Sequence, residues 1–223
     1  MNPSRKFDWL RIGKIYTFSP NAVFRDIKPP DTPILIPLLF VSIASAAIVW
    51  LVVPIVVTQM GIEREVKTGW WFPHKVSLLQ WEDWVQHLVR VPFAAFETLL
   101  DVILLGTYFF VIARCFSIDD IRWEHWFGFA CWTLVPIILV DGAVIFIEAY
   151  SGSMNPSLTV SLLVVGLCFL LPIVWTTTLT ILGLRIWTGN RWGYSLGFGL
   201  LPYFLFVLVY TPEIVRLFIQ ATS

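Results

Sequence analysis

LTVSLLVVGLCFLLPIVWTTTLTILGL, residues 158–184, contains no charged side chain, and Arg185 follows it. A helix needs about 20 predominantly apolar residues to cross roughly 30 Å of hydrocarbon. This stretch exceeds that length and reaches an arginine where headgroups would begin, so it reads as a membrane span. Segments at about 33–57, 93–114, 126–149 and 193–215 satisfy the same requirement, and with the span at about 158–186 they predict five crossings. The expected fold class is an all-α, polytopic membrane protein with short amphipathic interfacial helices.

Composition excludes an ordinary soluble domain. Of 223 residues, 57% are hydrophobic and 13% charged, with a mean hydropathy of +0.77, whereas about a quarter of a soluble domain is charged. Lys+Arg and Asp+Glu number 15 each, so no basic field exists to attract nucleic acid. Cys115, Cys131 and Cys168 lack Cys-x-x-Cys spacing and read as small buried hydrophobes rather than a zinc site or disulfide framework. The first 31 residues carry too many charges for a cleavable signal peptide, so the first span is expected to stay in the membrane.

An odd number of spans puts the termini on opposite sides. Ten basic residues fall before the first span, between spans two and three, and between spans four and five, against five in the alternate segments. The positive-inside tendency therefore places the N-terminus in the cytoplasm and the C-terminus outside. Residues 1–32 are expected to form a cytoplasmic aromatic-basic interfacial segment, with Lys and Arg near lipid phosphate, and 33–223 the membrane domain. The external loop 58–92 is expected to hold a Trp70-Trp71-Phe72-Pro73 turn in the headgroups. A short surface helix should follow, opening at the cap-like Ser77-x-x-Gln80, with Leu78, Trp81, Val85 and Leu88 at helical spacing.

RWEHWFGF at 122–129 and RWGYSLGF at 191–198 share Arg-Trp-x4-Gly-Phe, and each lies where the chain returns into the membrane from the cytoplasmic side. Arg122 and Arg191 would meet phosphate and Trp123 and Trp192 would sit at the interface. Gly128 and Gly197 would let a neighbouring helix approach. Each stretch follows a helix ending in arginine, Arg114 or Arg185, which raises an internal duplication; similar boundary chemistry arising twice is the other reading.

Three carboxylates, Glu97, Asp101 and Asp141, fall inside predicted spans, where a charge costs about 2.5–3.5 kcal/mol on insertion scales. Helical rise puts Glu97 roughly 6 Å, and Asp101 and Asp141 roughly 12 Å, from the outer ends of their helices, so one cluster is geometrically open. It would bind a cation, relay protons, or stay protonated and hydrogen-bond between helices, the last being the default. Pro136, Pro172 and Pro202 lie inside spans and kink or shape them. No Gly-x-Ser-x-Gly, His-Glu-x-x-His, phosphate loop or dinucleotide fingerprint occurs, and His74, His87 and His125 fall on opposite sides of this topology. No enzymatic activity, cofactor or metal is expected.

FSPNAVFRDIKPPDTPILIPLLFVSIASAAIVW at 18–50 resembles the start of a bacterial YIP-domain protein, whose Pro-x-x-x-Phe-x-x-Ile segment is matched by Pro20, Phe24 and Ile27. GFACWTLVP at 128–136 resembles the same family's Gly-aromatic segment ending in proline, here Pro136. The resemblance covers about 18–215. The eukaryotic members, named for Ypt/Rab interaction, carry an Asp-Leu-Tyr-Gly-Pro motif that is absent here, so no Rab GTPase partner is implied. For the bacterial branch the resemblance implies a non-enzymatic protein of the inner membrane, sometimes associated with export systems. The expected role is a scaffold or accessory subunit contacting lipids and a membrane-protein partner or further copies of itself. The alternative is a small proton- or cation-coupled transporter using the intramembrane carboxylates.

Overall fold

The structure is a computed structural model that describes residues 8–16, 19–30, 32–60, 65–68, 74–77, 83–150, 158–189 and 192–222. Two short helices, α1 (Asp8–Ile15) and α2 (Pro20–Asp26), precede α3 (Leu35–Met60). A hairpin, β1 (Glu65–Thr68) and β2 (His74–Ser77), leads to α4 (Asp83–Cys115). Helices α5 (Trp123–Thr133) and α6 (Ile138–Tyr150) are joined by a 3-10 turn at Val135–Ile137. A π-helical stretch, Val164–Leu170, joins α7 (Leu158–Leu163) to α8 (Leu171–Thr188), and α9 (Trp192–Thr222) follows.

Among the described residues, four stretches are long and apolar enough to cross a membrane: Pro92–Cys115, Trp123–Val144, Leu158–Thr188 and Trp192–Ile219. The 26-residue α3 contains a shorter apolar stretch, Leu35–Leu51. Trp123–Val144 is the enclosed one, with 67% of its apolar window buried against 17% for Pro92–Cys115. Large apolar side chains such as Leu104, Leu163, Leu167, Leu171, Phe204 and Val209 are exposed. That much apolar surface suits hydrocarbon rather than water.

The region between the first two long helices differs from the sequence expectation. Ser77 ends β2 rather than capping a helix, and among the described residues the helix that carries Val85 and Leu88 is α4 itself, which begins at Asp83 and continues through Pro92. Proline removes one helical donor, a loss a membrane helix absorbs when neighbours serve the freed carbonyl, and α4 passes unbroken through Pro92, where its apolar stretch begins. The hairpin, paired Val66 to Val76 and Lys67 to Lys75, is a small exception to an all-α fold. Its four-residue strands are too short for their alternation to register against the apolar spans. Trp70 to Pro73, Leu78, Gln80, Trp81 and Arg191 lie outside the described residues.

The chain forms two compact units. The first comprises Met1–Ser42, Thr98–Ile137 and Ile173–Leu205. Its core is aromatic and centred on Phe129, whose ring lies 4.9 Å from Trp187, 5.3 Å from Phe109 and 5.6 Å from both Phe24 and Trp126. Each such pair contributes about 0.5–1.5 kcal/mol beyond the area it buries. Helices approach closely where a side chain is missing: a Cβ on Gly106 would fall 2.9 Å from the Cα of Phe127, and one on Gly199 would fall 2.7 Å from Cγ1 of Ile181. In lipid, where apolar burial between helices gains little, such close packing carries much of the association. Hydrogen bonds tie the same helices, Tyr108 donating to the Phe198 carbonyl at 3.0 Å and Thr180 pairing with Tyr203 at 2.9 Å.

Pro136 shapes this unit. Its ring displaces the carbonyl four residues earlier and it has no N–H, so α5 stops at Thr133. Ile137 then bonds back to Leu134 at 3.0 Å, the tighter 3-10 pattern. Helices α4 and α8 terminate alike, in a left-handed residue past the end, Ser117 (φ 58°) and Gly189 (φ 65°).

The second unit comprises Ile43–Glu97, Ile138–Pro172 and Phe206–Ser223. Pro172 lacks the N–H that would serve the Cys168 carbonyl. One residue before it, Leu171 bonds to Gly166, five residues back, which is the π register. Here α6 packs against the π stretch, and Phe169 stacks on Phe206 at 5.6 Å and meets Tyr210 at 5.9 Å. Pro202, by contrast, sits within an unbroken α9.

Candidate functional site

In the first unit the N-terminal segment is built into the helices through its backbone carbonyls. A helix leaves its last carbonyls without intrahelical donors, and in apolar surroundings each needs a partner. Two indoles supply them, and a third serves a carbonyl of the linker before α3. Trp175 of α8 donates to the carbonyl of Ile15, the last residue of α1, at 3.1 Å. Trp187 donates to that of Phe24, in the final turn of α2, at 3.1 Å. Trp132 of α5 donates to that of Pro33, just before α3, at 2.8 Å. In return the Tyr16 hydroxyl donates to the carbonyl of Val135 at 2.7 Å, beside the proline break. Burial lifts the Tyr16 pKa to about 12, so this donor keeps its proton at physiological pH.

The spacing of Pro20, Phe24 and Ile27 now has a physical meaning. Four and three residues apart, with Val23, they form one face of α2 and the turn after it, and that face is buried. Pro20 opens the helix at a position where a missing N–H costs nothing. Ile15, Phe24 and Ile27 are completely buried, so these apolar side chains go to protein packing rather than to lipid contact. The sequence signal for the indole clamp was the presence of Trp132 and Trp175 well inside spans, since a buried indole N–H needs an acceptor.

The two Arg-Trp-x4-Gly-Phe stretches differ in geometry. In the first, Arg122 occupies the position before α5 without a side-chain capping bond and pairs with Glu124, while Trp123 stacks on Phe127 and donates to Thr107 at 3.2 Å. A Cβ on Gly128 would meet Cγ2 of Thr32 at 2.6 Å. In the second, Trp192 opens α9 with the Arg185 guanidinium 4.0 Å over its ring. Gly197 faces open space, and the close approach falls two residues later, at Gly199. Both Trp123 and Trp192 are partly exposed.

Of the intramembrane carboxylates, Asp141 accepts a hydrogen bond from the Ser45 hydroxyl, and Glu97 lies close enough for its charge to interact with that of Asp141. These three belong to the second unit, whereas Asp101 belongs to the first. Among the described residues no group of three His, Cys, Asp or Glu could hold a metal ion. His125 follows Glu124 in the first turn of α5, and the side chains of His74 and His87 lie outside the description.

The profile of one family, described as the Yip1 domain, matches residues 14–211. No curated protein and no solved structure matches the chain. The matched range takes in Tyr16, α2, the proline break at Pro136 and the three indoles.

Proposed function

The chain belongs to the Yip1 domain family, and from that premise we propose that it is a non-enzymatic inner-membrane protein of the bacterial branch, a scaffold or accessory subunit of a larger membrane assembly such as an export system. In this reading α3 is a fifth span, the N-terminal segment lies in the cytoplasm and the C-terminus lies outside. The observation that carries it is the docked N-terminal segment. Helices α1 and α2 are locked by carbonyl bonds onto an aromatic core, which makes them a fixed surface suited to contact rather than to chemistry. The excess of basic residues on the segments assigned to the cytoplasm supports the orientation. The absence of the Asp-Leu-Tyr-Gly-Pro motif is the reason no Rab GTPase is assigned as partner.

Mass spectrometry of the intact complex after mild extraction from the native membrane tests the proposal. A stoichiometric membrane-protein partner is the expected result; a protein that emerges alone or only with copies of itself overturns the accessory role. The proximity of Glu97 to Asp141 favours one second reading, proton- or cation-coupled transport. The bond from Ser45 gives Asp141 a packing role without it.

A further inference from the structure

A cavity of about 670 Å³ opens in the first unit between α2 and the junction of α8 with α9. Arg25 and Lys28 reach it from α2 and the turn that follows, and Arg185 from the last turn of α8. Among the described residues that line it none is acidic. No ion pair with a described carboxylate occupies any of these three cations, whereas Arg114, Arg122 and Arg216 each have one. Three like charges drawn together from elements more than 150 residues apart in sequence repel one another until an anion joins them.

The remaining walls narrow the anion's identity. Leu182 and Ile186 give the cavity an apolar side, and Asn21 adds an amide. The Trp192 ring, 4.0 Å from the Arg185 guanidinium, holds that group in place before any ligand arrives. The volume falls in the range of about 300–1,000 Å³ typical of small-molecule sites. Arg185 lies three residues from the end of a candidate span, the depth at which phosphates of a bilayer are found. We propose that this cavity binds a phosphate group presented by an anionic phospholipid, with Arg25, Lys28 and Arg185 around the phosphate and Leu182 and Ile186 beside the start of the acyl chains. The site is independent of the accessory role, since it needs only that the chain sits in a membrane.

The test uses the full-length protein purified in mild detergent, with lipid binding followed by native mass spectrometry. Added phosphatidylglycerol should bind in preference to phosphatidylcholine, and its affinity should fall as salt is raised. The double variant Arg25→Gln/Lys28→Gln should bind phosphatidylglycerol roughly 30-fold more weakly, at about 1 kcal/mol per basic group lost. Arg185→Gln should weaken binding as well, and Arg114→Gln, outside the cavity, should not. Equal binding of the two lipids by wild type, or phosphatidylglycerol binding that is insensitive to salt, overturns the proposal even if every variant fails to fold. So does wild-type affinity in both folded variants. Inorganic phosphate at millimolar concentration should not displace the lipid. If it does, and lipid adds no affinity over phosphate alone, the ligand is a soluble phosphate and the lipid assignment fails.

Discussion

The hydroxyl of Tyr16 donates to the main-chain carbonyl of Val135 across 119 positions of sequence, at 2.7 Å. Val135 stands immediately before Pro136, in the 3-10 turn that interrupts the helix. A break of this kind exposes backbone polar groups that the bilayer cannot solvate, and the N-terminal segment serves one of them. Pro136 and the N-terminal segment are thus parts of one arrangement.

Tyr16→Phe should therefore lower stability by about 1 kcal/mol, the usual net worth of a hydrogen bond, read as a fall in thermal midpoint in detergent. A pH series adds an independent readout. The folded-state pKa of about 12 lies above the ordinary value of 10.0. Protonation of Tyr16 thus contributes stability that is fully present below pH 10 and is lost as pH rises through 12. The gap between wild type and Tyr16→Phe should be constant from pH 6 to about 9 and narrow above pH 10; a gap that stays flat to pH 12 would show that the hydroxyl is not a buried donor.

Trp187→Phe should cost more. It removes the donor to the Phe24 carbonyl and trims a ring that packs on Phe129 and Trp126, a combined loss of about 2–4 kcal/mol. Trp175→Phe deletes only the bond to Ile15 from a less enclosed ring, and about 1–2 kcal/mol is expected. Hydrogen exchange separates the two: Trp187→Phe should speed exchange in α2, and Trp175→Phe at the end of α1.

Three glycines give a graded series. Gly106→Ala drives a Cβ against Phe127 backbone, which cannot step aside, and should cost about 1–3 kcal/mol. Gly199→Ala comes nearest to the Ile181 side chain, with the Ile181 backbone farther off at 3.3 Å, and should cost less than Gly106→Ala. Gly197→Ala enters open space inside a helix and should be neutral or raise stability by up to about 1 kcal/mol. Chemical unfolding in mixed micelles gives the order, and a Gly197→Ala variant less stable than Gly199→Ala would contradict it.

Asp141→Asn retains an oxygen that can accept from Ser45, so folding and assembly should be close to wild type; Asp141→Leu strands the Ser45 hydroxyl and should cost about 1–3 kcal/mol. The transport reading expects a different pattern, with Asp141→Asn folded normally but unable to support proton- or cation-dependent flux in proteoliposomes. Flux equal to wild type in Asp141→Asn leaves the carboxylate with a packing role alone.

Much of the fold was legible in the sequence. Charge-free stretches such as 158–184 mark helices by composition, because lipid leaves a backbone no other way to satisfy itself than a helix or a closed barrel. Pro136 was legible as an interruption, but not the form of it, nor that Tyr16 would serve it. The repeated Arg-Trp-x4-Gly-Phe pattern gave the positions of two helix starts, yet equal spacing concealed that Gly128 is packed and Gly197 is not. The second span was legible at about 93–114, close to the apolar stretch Pro92–Cys115, but not that the helix would begin at Asp83 and run into it unbroken through Pro92.

By itself the sequence determined a helical membrane protein, the approximate places of four of its spans, and a likeness to its family, since hydropathy and spacing are properties of neighbours along the chain. Only the tertiary structure decided which indole meets which carbonyl, which glycine admits a neighbouring helix, and that Arg25, Lys28 and Arg185 share a cavity. Those relationships join positions as far apart as Phe24 and Trp187, and they depend on how helices cross and rotate against each other, for which the apolar composition of a span carries no signal.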